Sequence, residues 1–292
     1  MSDAPVIVRM MGGLGNQLFQ YAAGRTLALA TGRGLLLDTS AYREDRLRAY
    51  QLDRFAIAAR PLRRGDVPFF RLRRSRLGAI LPRRSRVEIV RERFPARVPV
   101  WPERGRVSDA GTPYLIGYWQ SERYFAAAAD TIRRELRLRK PADRANAATL
   151  ESITGCDAVA LHVRRGDYVS NPAATAYHGL CGLDYYQAAI RRLCESVAQP
   201  HFFVFSDDLD WVRENLDTGH PTTWVGDNAD TPWEDLRLMA ACRHFIVANS
   251  SFSWWGAWLG EWPGKQVIAP ARWFQADHGG EGEIVPAAWL RM

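Results

Sequence analysis

In the first part of the chain, short continuous apolar runs stand on either side of a longer run with helical spacing. PVIVRMM, residues 5–11, predicts a buried strand, and GLLLD, residues 34–38, predicts a second one. Between them, residues 17–32 have apolar positions at helical spacing and end on glycine, which predicts a helix. The turn GGLGN, residues 12–16, joins the first strand to this helix. This order predicts the start of a parallel, Rossmann-like sheet.

The second half of the chain shows a more regular alternation of the same kind. Strand patterns occur at DAVALHVRRGDYV, HFFVFSDD, TTWVG, HFIVANS and KQVIAP, and amphipathic helical patterns separate them. This alternation predicts a second parallel α/β layer. The polar stretch around Pro141 is the best candidate for a boundary, so we expect an N-terminal domain over residues 1–150 and a C-terminal domain over residues 151–292.

Residues 60–106 differ from the rest of the first domain because they are dense in arginine and have no clear period. We predict a basic insertion there that is exposed and partly helical. The simpler interpretation is a solvated basic face. The alternative is a surface that binds anionic lipid headgroups or an acidic acceptor.

Composition places the chain among globular proteins and leaves its ligand open. The chain has 292 residues, of which 47% are hydrophobic and 24% are charged, and its formal net charge is +7. Nearly all of the positive charge is arginine, since the only lysines are Lys140 and Lys265. Arginine binds phosphate and carboxylate through two parallel hydrogen bonds, although a bias in base composition would explain the excess equally well. The charge suits an anionic ligand or membrane surface.

Targeting and cysteine patterns lead to an expectation about location. The sequence has no apolar run of about 18 residues and no signal-peptide pattern at its start, which favours a cytoplasmic protein, with peripheral contact at the inner face of the membrane left open. The four cysteines have no C-x-x-C spacing, which indicates reduced thiols instead of disulfides or a zinc site. They are Cys156, Cys181, Cys194 and Cys242.

Polar residues follow several of the predicted strands, at the edge where ligands bind in open α/β sheets. GGLGNQ resembles a dinucleotide-binding turn only loosely, because Leu18 stands where a third glycine is expected. Glycines there would let a ligand approach the backbone, and the alternative is a tight turn with Asn16 as the helix N-cap. The groups that follow the later strands are His162, Arg164, Arg165 and Asp167; Ser206, Asp207 and Asp208; and Asn249, Ser250, Ser251, Phe252 and Ser253.

Two of these groups have competing interpretations. The serines of NSSFSWWG could donate hydroxyl and backbone N–H hydrogen bonds to phosphate oxygens at a helix start, or they could only cap that helix. The tryptophans that follow have the spacing of core residues. Asp208 and Asp210 have the D-x-D spacing of some manganese sites, but acidic residues at a helix start are the simpler explanation.

Several blocks together resemble the α-1,2-fucosyltransferases of glycosyltransferase family 11. They are GGLGNQLFQYAAGRTLA, GYWQSERYF, HVRRGD, FFVFSDDLDWVRENL and DLRLMAACRHFIVANSSFSWWGAWLG. The resemblance implies a GT-B-like α/β fold, with two Rossmann-like domains facing across a cleft. It implies inverting transfer of L-fucose from GDP-fucose to the 2-hydroxyl of a terminal galactose, without a metal or another cofactor. The acceptor would be a galactose-terminated oligosaccharide or a lipid-linked glycan.

The resemblance also implies roles for single residues. Arg164 would hold the β-phosphate, His162 would lie against the nucleotide, Asp235 would read guanine, and Asn16 would face the sugar across the cleft. The remaining donor-binding residues would be Gly13, Gly15, Ser250, Ser251, Phe252 and Ser253.

Inversion calls for a group that deprotonates the acceptor hydroxyl. Asp167 is the candidate base, and Asp38 and Glu122 are its rivals. Alternatively, Asp167 pairs with Arg165 and orients the loop, or a loose, oxocarbenium-like transition state needs little help from a base.

Two other functions fit parts of the sequence. Another nucleotide-sugar transferase of the same architecture would use the same strand-end residues. A polyanion-binding protein would depend on the arginines of residues 60–106 instead. Aromatic residues that could stack on bases are sparse in that segment, so we expect no nucleic-acid partner.

Overall fold

The computed structural model has two compact units, Met1–Arg139 and Lys140–Met292. The predicted boundary at residue 150 falls inside the helix Arg144–Thr154, and this helix packs against the second sheet. The division therefore precedes the helix and lies beside Pro141. The structure describes residues 4–45, 47–67, 70, 82, 86–92, 111–166, 179–275 and 284–292.

The first unit contains a five-stranded parallel sheet of order β3-β2-β1-β5-β4. Its strands are β1 (Val6–Arg9), β2 (Leu35–Asp38), β3 (Arg60–Pro61), β4 (Val87–Arg91) and β5 (Thr112–Ile116). Its described helices are α1 (Leu14–Thr31) and α2 (Ala129–Glu135), with 3-10 turns at Ser40–Arg43, Leu52–Arg54, Glu122–Tyr124 and Ala126–Ala128.

Helix α1 packs on β1 and β2, and its ends follow from two glycines. Gly32 caps its C-terminus in the left-handed conformation, with φ of 65°, as the sequence predicted. The N-cap is Gly13, so the interpretation of Asn16 as the N-cap is wrong. The predicted start was late because a glycine cap has no side-chain oxygen and gives a weak sequence signal.

Part of the arginine-rich segment belongs to the sheet. Strand β3 lies at one edge, and β4 pairs with β5 over its whole length. These residues form strands where the sequence predicted a partly helical insertion, although both residues of β3 are exposed, as expected. Only Val87 of β4 is buried, and Ile89 and Arg91 are exposed, which is compatible with a strand at the edge of the sheet. The rest of residues 60–106, apart from 60–67, 70, 82 and 86–92, lies outside the described residues.

The second unit contains a six-stranded parallel sheet of order β11-β10-β9-β6-β7-β8. The predicted alternation of strands and helices is confirmed, and β11 is an addition to it. The strands are β6 (Asp157–Val163), β7 (Pro200–Ser206), β8 (Thr222–Val225), β9 (His244–Ile246), β10 (Val267–Ala269) and β11 (Leu290–Arg291). The described helices are α3 (Arg144–Thr154), α4 (Leu183–Cys194), α5 (Leu209–Asn215), α6 (Pro232–Ala241) and α7 (Ser251–Leu259).

Tryptophans on α7 form part of the core of the second unit. Trp254 and Trp255 are fully buried and Trp258 is nearly so, which confirms the prediction that they pack internally. The indole Nε1 of Trp254 donates to the Ile284 carbonyl over 2.8 Å, so its polar atom is satisfied.

Among the described residues, no helix combines the length and the apolar character that crossing a membrane requires.

Gly24 on α1 provides a test of the packing between this helix and β1. A β-carbon at Gly24 would lie 2.2 Å from Cγ2 of Val8, which is fully buried. We expect Gly24→Ala to destabilise the protein by about 1–3 kcal/mol, since overpacking outweighs the higher helix propensity of alanine. A calorimetric unfolding scan of the purified variant would measure the loss.

Gly34→Ala is the matched control, because a β-carbon there meets no atom within 4 Å. Its unfolding temperature should stay close to that of the unsubstituted protein. Equal unfolding temperatures for the two variants would contradict the close approach of α1 to β1.

Candidate active site

Each sheet has one point at which the chain reverses the direction in which strands are added. In the second sheet, β7 and β8 extend one side of β6, and the chain then returns to place β9 on its other side. In the first sheet, β1 lies between β2 and β5. Loops diverge at such a reversal and leave a crevice at the carboxyl ends of the strands, where ligands bind in open α/β sheets. The residues after β6 and β9, and those after β1 and β5, are therefore the candidate sites.

His162 lies near the end of β6 as a buried, neutral side chain. Burial, with a smaller contribution from the charge of Arg164, lowers the pKa of His162 to about 3. Its ring centroid is 5.9 Å from that of Phe252. Nδ1 is buried and has no hydrogen-bond partner among the described residues. Because buried polar atoms are nearly always paired, this nitrogen is available to a ligand.

Arg164 follows β6 and is held by Asp207 at the end of β7. The guanidinium Nη1 lies 2.8 Å from Oδ2 of Asp207, and Oδ1 of the same carboxylate accepts the backbone N–H of Arg165 over 2.9 Å. One carboxylate therefore orients both the arginine side chain and the following peptide. A β-carbon at Gly166 would lie 2.3 Å from Oδ2, so only glycine leaves room for this contact. Asp167, the candidate base, lies outside the described residues.

Arg165 has different partners from Arg164. Its Nε donates to Oδ2 of Asp208 over 3.2 Å, and its guanidinium carbon lies 3.4 Å from the centroid of the Trp211 ring. Among the described residues, Asp208 is therefore the acidic partner of Arg165, a role for which the sequence suggested Asp167. Asp208 is also the N-cap of α5, which confirms the predicted helix start. The described residues contain no group of three or more His, Cys, Asp or Glu side chains placed to hold a metal ion.

The serine block forms the start of α7, immediately after β9. Ser250 is the N-cap, and its Oγ accepts the backbone N–H of Phe252 over 3.3 Å. Ser253 is buried, and its hydroxyl donates to the carbonyls of Ala248 and Ser250 over 3.5 and 3.3 Å. The capping interpretation thus fits both hydroxyls, whereas Ser251 and Phe252 are half-buried. The backbone N–H groups of the first turn remain the groups suited to an anion.

Asp235 lies in the first turn of α6, which packs against α7. Burial raises its pKa to about 6, although a 2.8 Å hydrogen bond from Asn228 favours the ionised form. Asn228 is buried and exchanges hydrogen bonds of 2.9 and 3.0 Å with Asn146 on α3. This chain of amides fixes the carboxylate in position while leaving it a strong hydrogen-bond acceptor.

Side chains from elsewhere in the first unit contact the glycine turn and hold it in place. Gly12 has φ of +78°, and its carbonyl accepts hydrogen bonds from Gln17 and Tyr42. A β-carbon at Gly13 would lie 2.5 Å from Nη1 of Arg48. Gly15 is buried within α1. The glycines of the turn therefore present backbone at this edge of the sheet.

Asn16 is paired with Gln120, which follows β5. The amide of Gln120 donates to Oδ1 of Asn16 over 2.7 Å, so residues after β1 and β5 meet at the reversal point of the first sheet. The rivals for the base are less suitable. Asp38 is buried and accepts hydrogen bonds from Tyr114 and Ser40, and Glu122 opens a 3-10 turn.

Sequence reasoning missed Asp207 as the partner of Arg164 and Gln120 as the partner of Asn16. Asp207 and Gln120 stand in quoted blocks, so their position at strand ends was a usable signal.

Comparison with known proteins finds relatives for nearly the whole chain. The model of glycosyl transferase family 11 matches residues 105–290. An alpha-1,2-colitosyltransferase of Escherichia coli is 32% identical over 300 residues, which cover 98% of each chain. The O-antigen biosynthesis glycosyltransferase WbnK of Escherichia coli is 29% identical over 309 residues, which cover 97% of this chain and 99% of that protein. Human galactoside alpha-(1,2)-fucosyltransferase 1 is 35% identical over 104 residues, 35% of this chain and 28% of that protein.

A solved structure supports the fold class. POFUT1 in complex with GDP superposes with a TM-score of 0.51 at 14% identity, over 92% of this chain and 98% of that chain. Together with the two parallel α/β units, this confirms the predicted GT-B-like class.

The raised pKa of Asp235 predicts a gain in stability for Asp235→Asn. An aspartate whose pKa is raised on folding destabilises the folded state once it ionises, so the penalty is absent below its unfolded pKa of about 4 and complete above about 6. We expect the variant to gain about 1–2 kcal/mol at pH 7.5, after a discount for partial exposure, and roughly half of that at pH 5. Unfolding scans at the two pH values would measure it.

Asp230→Asn is the control because Asp230 is exposed in the loop before α6. It should leave the unfolding temperature nearly unchanged at both pH values. A loss of stability in Asp235→Asn at pH 7.5 would show that the carboxylate charge is compensated in the fold.

Proposed function

The chain belongs to glycosyltransferase family 11 and is a glycosyltransferase, and we propose from this that it transfers L-fucose from GDP-β-L-fucose to the 2-hydroxyl of a terminal galactose. The transfer would invert the anomeric carbon and use no metal. In this proposal the first unit binds the acceptor glycan, free or lipid-linked, and the second unit binds the nucleotide sugar.

The placement of Arg164 is the observation that carries the proposal. As the bond between the sugar and the diphosphate breaks, negative charge accumulates on the β-phosphate, and fixed donors must stabilise it. Arg164 is held by Asp207 at the reversal point of the second sheet, beside the strand that leads to the N-terminus of α7. A guanidinium fork and a helix N-terminus are both suited to a diphosphate.

The surrounding side chains suit the rest of a GDP-sugar. Guanine presents two N–H donors on one edge, and the Asp235 carboxylate can accept both. With a pKa of about 6, Asp235 is mostly ionised at neutral pH. The neutral ring of His162 adds no positive charge and offers Nδ1 to the nucleotide. In the first unit, the paired amides of Asn16 and Gln120 are groups that hydroxyls of a sugar can bind.

A second donor fits as well, because the colitosyltransferase is 32% identical over nearly the whole chain. Colitose is fucose without its 3-hydroxyl, so the two donors differ in one hydroxyl group. Sites that hydrogen-bond a substrate hydroxyl reject an analogue that lacks it by large factors. One donor should therefore be strongly preferred.

A transfer assay on the purified protein tests the proposal. GDP-fucose, GDP-colitose and UDP-galactose would each be offered with a panel of galactose-terminated disaccharides, and products would be assigned by NMR. We expect an α-1,2-linked product from GDP-fucose that persists in EDTA. A preference for GDP-colitose would show that the protein transfers colitose instead of fucose. A product from UDP-galactose alone would overturn the assignment of a GDP-sugar donor.

Asp207→Asn tests how Arg164 is held. Because the variant lacks the charged partner of the guanidinium, we expect GDP to bind about tenfold more weakly by calorimetry, which corresponds to about 1.4 kcal/mol. Arg164→Ala should also weaken GDP binding, and it should lower kcat for sugar transfer by about 100-fold or more.

Asp210→Asn is the matched control, because Asp210 is exposed on α5. Its affinity for GDP should stay within about twofold of the unsubstituted enzyme. Unchanged GDP affinity in both Asp207→Asn and Arg164→Ala would remove this pair from the donor site.

A further inference from the structure

Glu92 stands directly after β4, at the carboxyl edge of the first sheet. Its backbone N–H extends the pairing of β4 with β5 by donating to the Ile116 carbonyl over 2.9 Å. Its Oε2 accepts the backbone N–H groups of Tyr118 and Trp119 over 2.6 and 2.9 Å. The carboxylate is therefore fixed at the ends of two neighbouring strands, on the edge where ligands bind in such sheets.

The backbone that holds Glu92 has an unusual conformation. Trp119 has φ of 59°, and it is the one non-glycine residue with positive φ among the residues that the structure describes. This conformation is costly for a bulky residue, and such outliers cluster at functional sites. It turns successive N–H groups toward one oxygen, as in anion-binding nests. A β-carbon at Gly117 would lie 2.7 Å from Oε2, so the chain also leaves room for the carboxylate.

The charge of Glu92 is not neutralised by a cation in the described part of the chain. Burial raises its pKa even though backbone N–H groups favour the ionised form. No arginine or lysine of the described residues forms an ion pair with it, although it lies in an arginine-rich segment. The hydrogen bonds from Tyr118 and Trp119 both end on Oε2. The geometry thus fixes a carboxylate that is more basic than an exposed one.

Residues suited to a sugar lie in the same loop. Tyr118, whose N–H binds Glu92, is 44% exposed, and aromatic rings of this kind are suited to packing against the apolar face of a sugar. Gln120, two residues further, is paired with Asn16. The loop after β5 therefore links Glu92 to the reversal point of the first sheet.

We propose that Glu92 is the general base that deprotonates the attacking hydroxyl of the acceptor sugar. This inference rests on the proposed glycosyl transfer. The acceptor oxygen forms a bond to the anomeric carbon, and its proton passes to the Glu92 carboxylate. The bond from that carbon to the β-phosphate oxygen breaks, and its electron pair leaves with GDP.

Glu92→Gln distinguishes a general base from a residue that only holds the loop after β5 in place. The amide oxygen of glutamine can accept the same two backbone N–H groups, but the amide cannot take up the proton. We expect kcat for sugar transfer to fall by about 100- to 1000-fold. The acceptor KM, GDP affinity and unfolding temperature should stay near those of the unsubstituted enzyme. Glu88→Gln, on the same strand, is the control and should transfer sugar normally.

Azide provides a second measurement, because it is an anionic nucleophile that needs no deprotonation. Formation of a glycosyl azide by Glu92→Gln at no less than the unsubstituted rate, with sugar transfer lost, would support the base. Normal sugar transfer by Glu92→Gln would overturn it, as would a parallel loss of transfer, GDP affinity and thermal stability. If the unsubstituted enzyme transfers no sugar from any GDP donor, the proposed function fails and this inference fails with it.

Discussion

A parallel sheet that grows outward in both directions from one strand leaves a crevice at the carboxyl ends of two neighbours, and both units are organised by this constraint. In the second unit the crevice lies between the ends of β6 and β9. The charged residues that follow β6 and the helix start that follows β9 are brought together there, although they are far apart in sequence. Backbone connectivity thus sets where an anion can bind before any side chain is chosen.

Within each crevice, polar residues hold the groups that would meet a ligand. Asp207 holds Arg164, Asn228 holds Asp235, and Gln120 holds Asn16. A side chain that is already oriented loses less conformational freedom when a ligand arrives, so it contributes more to binding. Burial raises the pKa of Asp235 and of Glu92, and neither carboxylate forms an ion pair with an arginine or lysine of the described residues.

The sequence was sufficient for the elements with strong apolar patterns. Strand β6 and helix α7 were predictable because buried strands are continuously apolar and core tryptophans recur at helical spacing. Strand β4 was not, because it is an edge strand with arginine at its end, and only Val87 in it is buried. The hydrogen bonds of the serine block at the start of α7 could not be predicted either. Whether the Ser253 hydroxyl points to a ligand or to a carbonyl depends on packing. The role proposed for Glu92 could not be predicted either, because it depends on the positive φ of Trp119, which no sequence pattern indicates.

The two glycines that contact carboxylates, Gly166 and Gly117, limit which substitutions this chain can accommodate. At each position the α-carbon itself forms part of the wall around an acidic group, so the smallest added side chain would occupy the space of that group. A larger residue at either position would require the acidic partner to move or to change as well, so each glycine and its acidic partner respond to substitution as one unit.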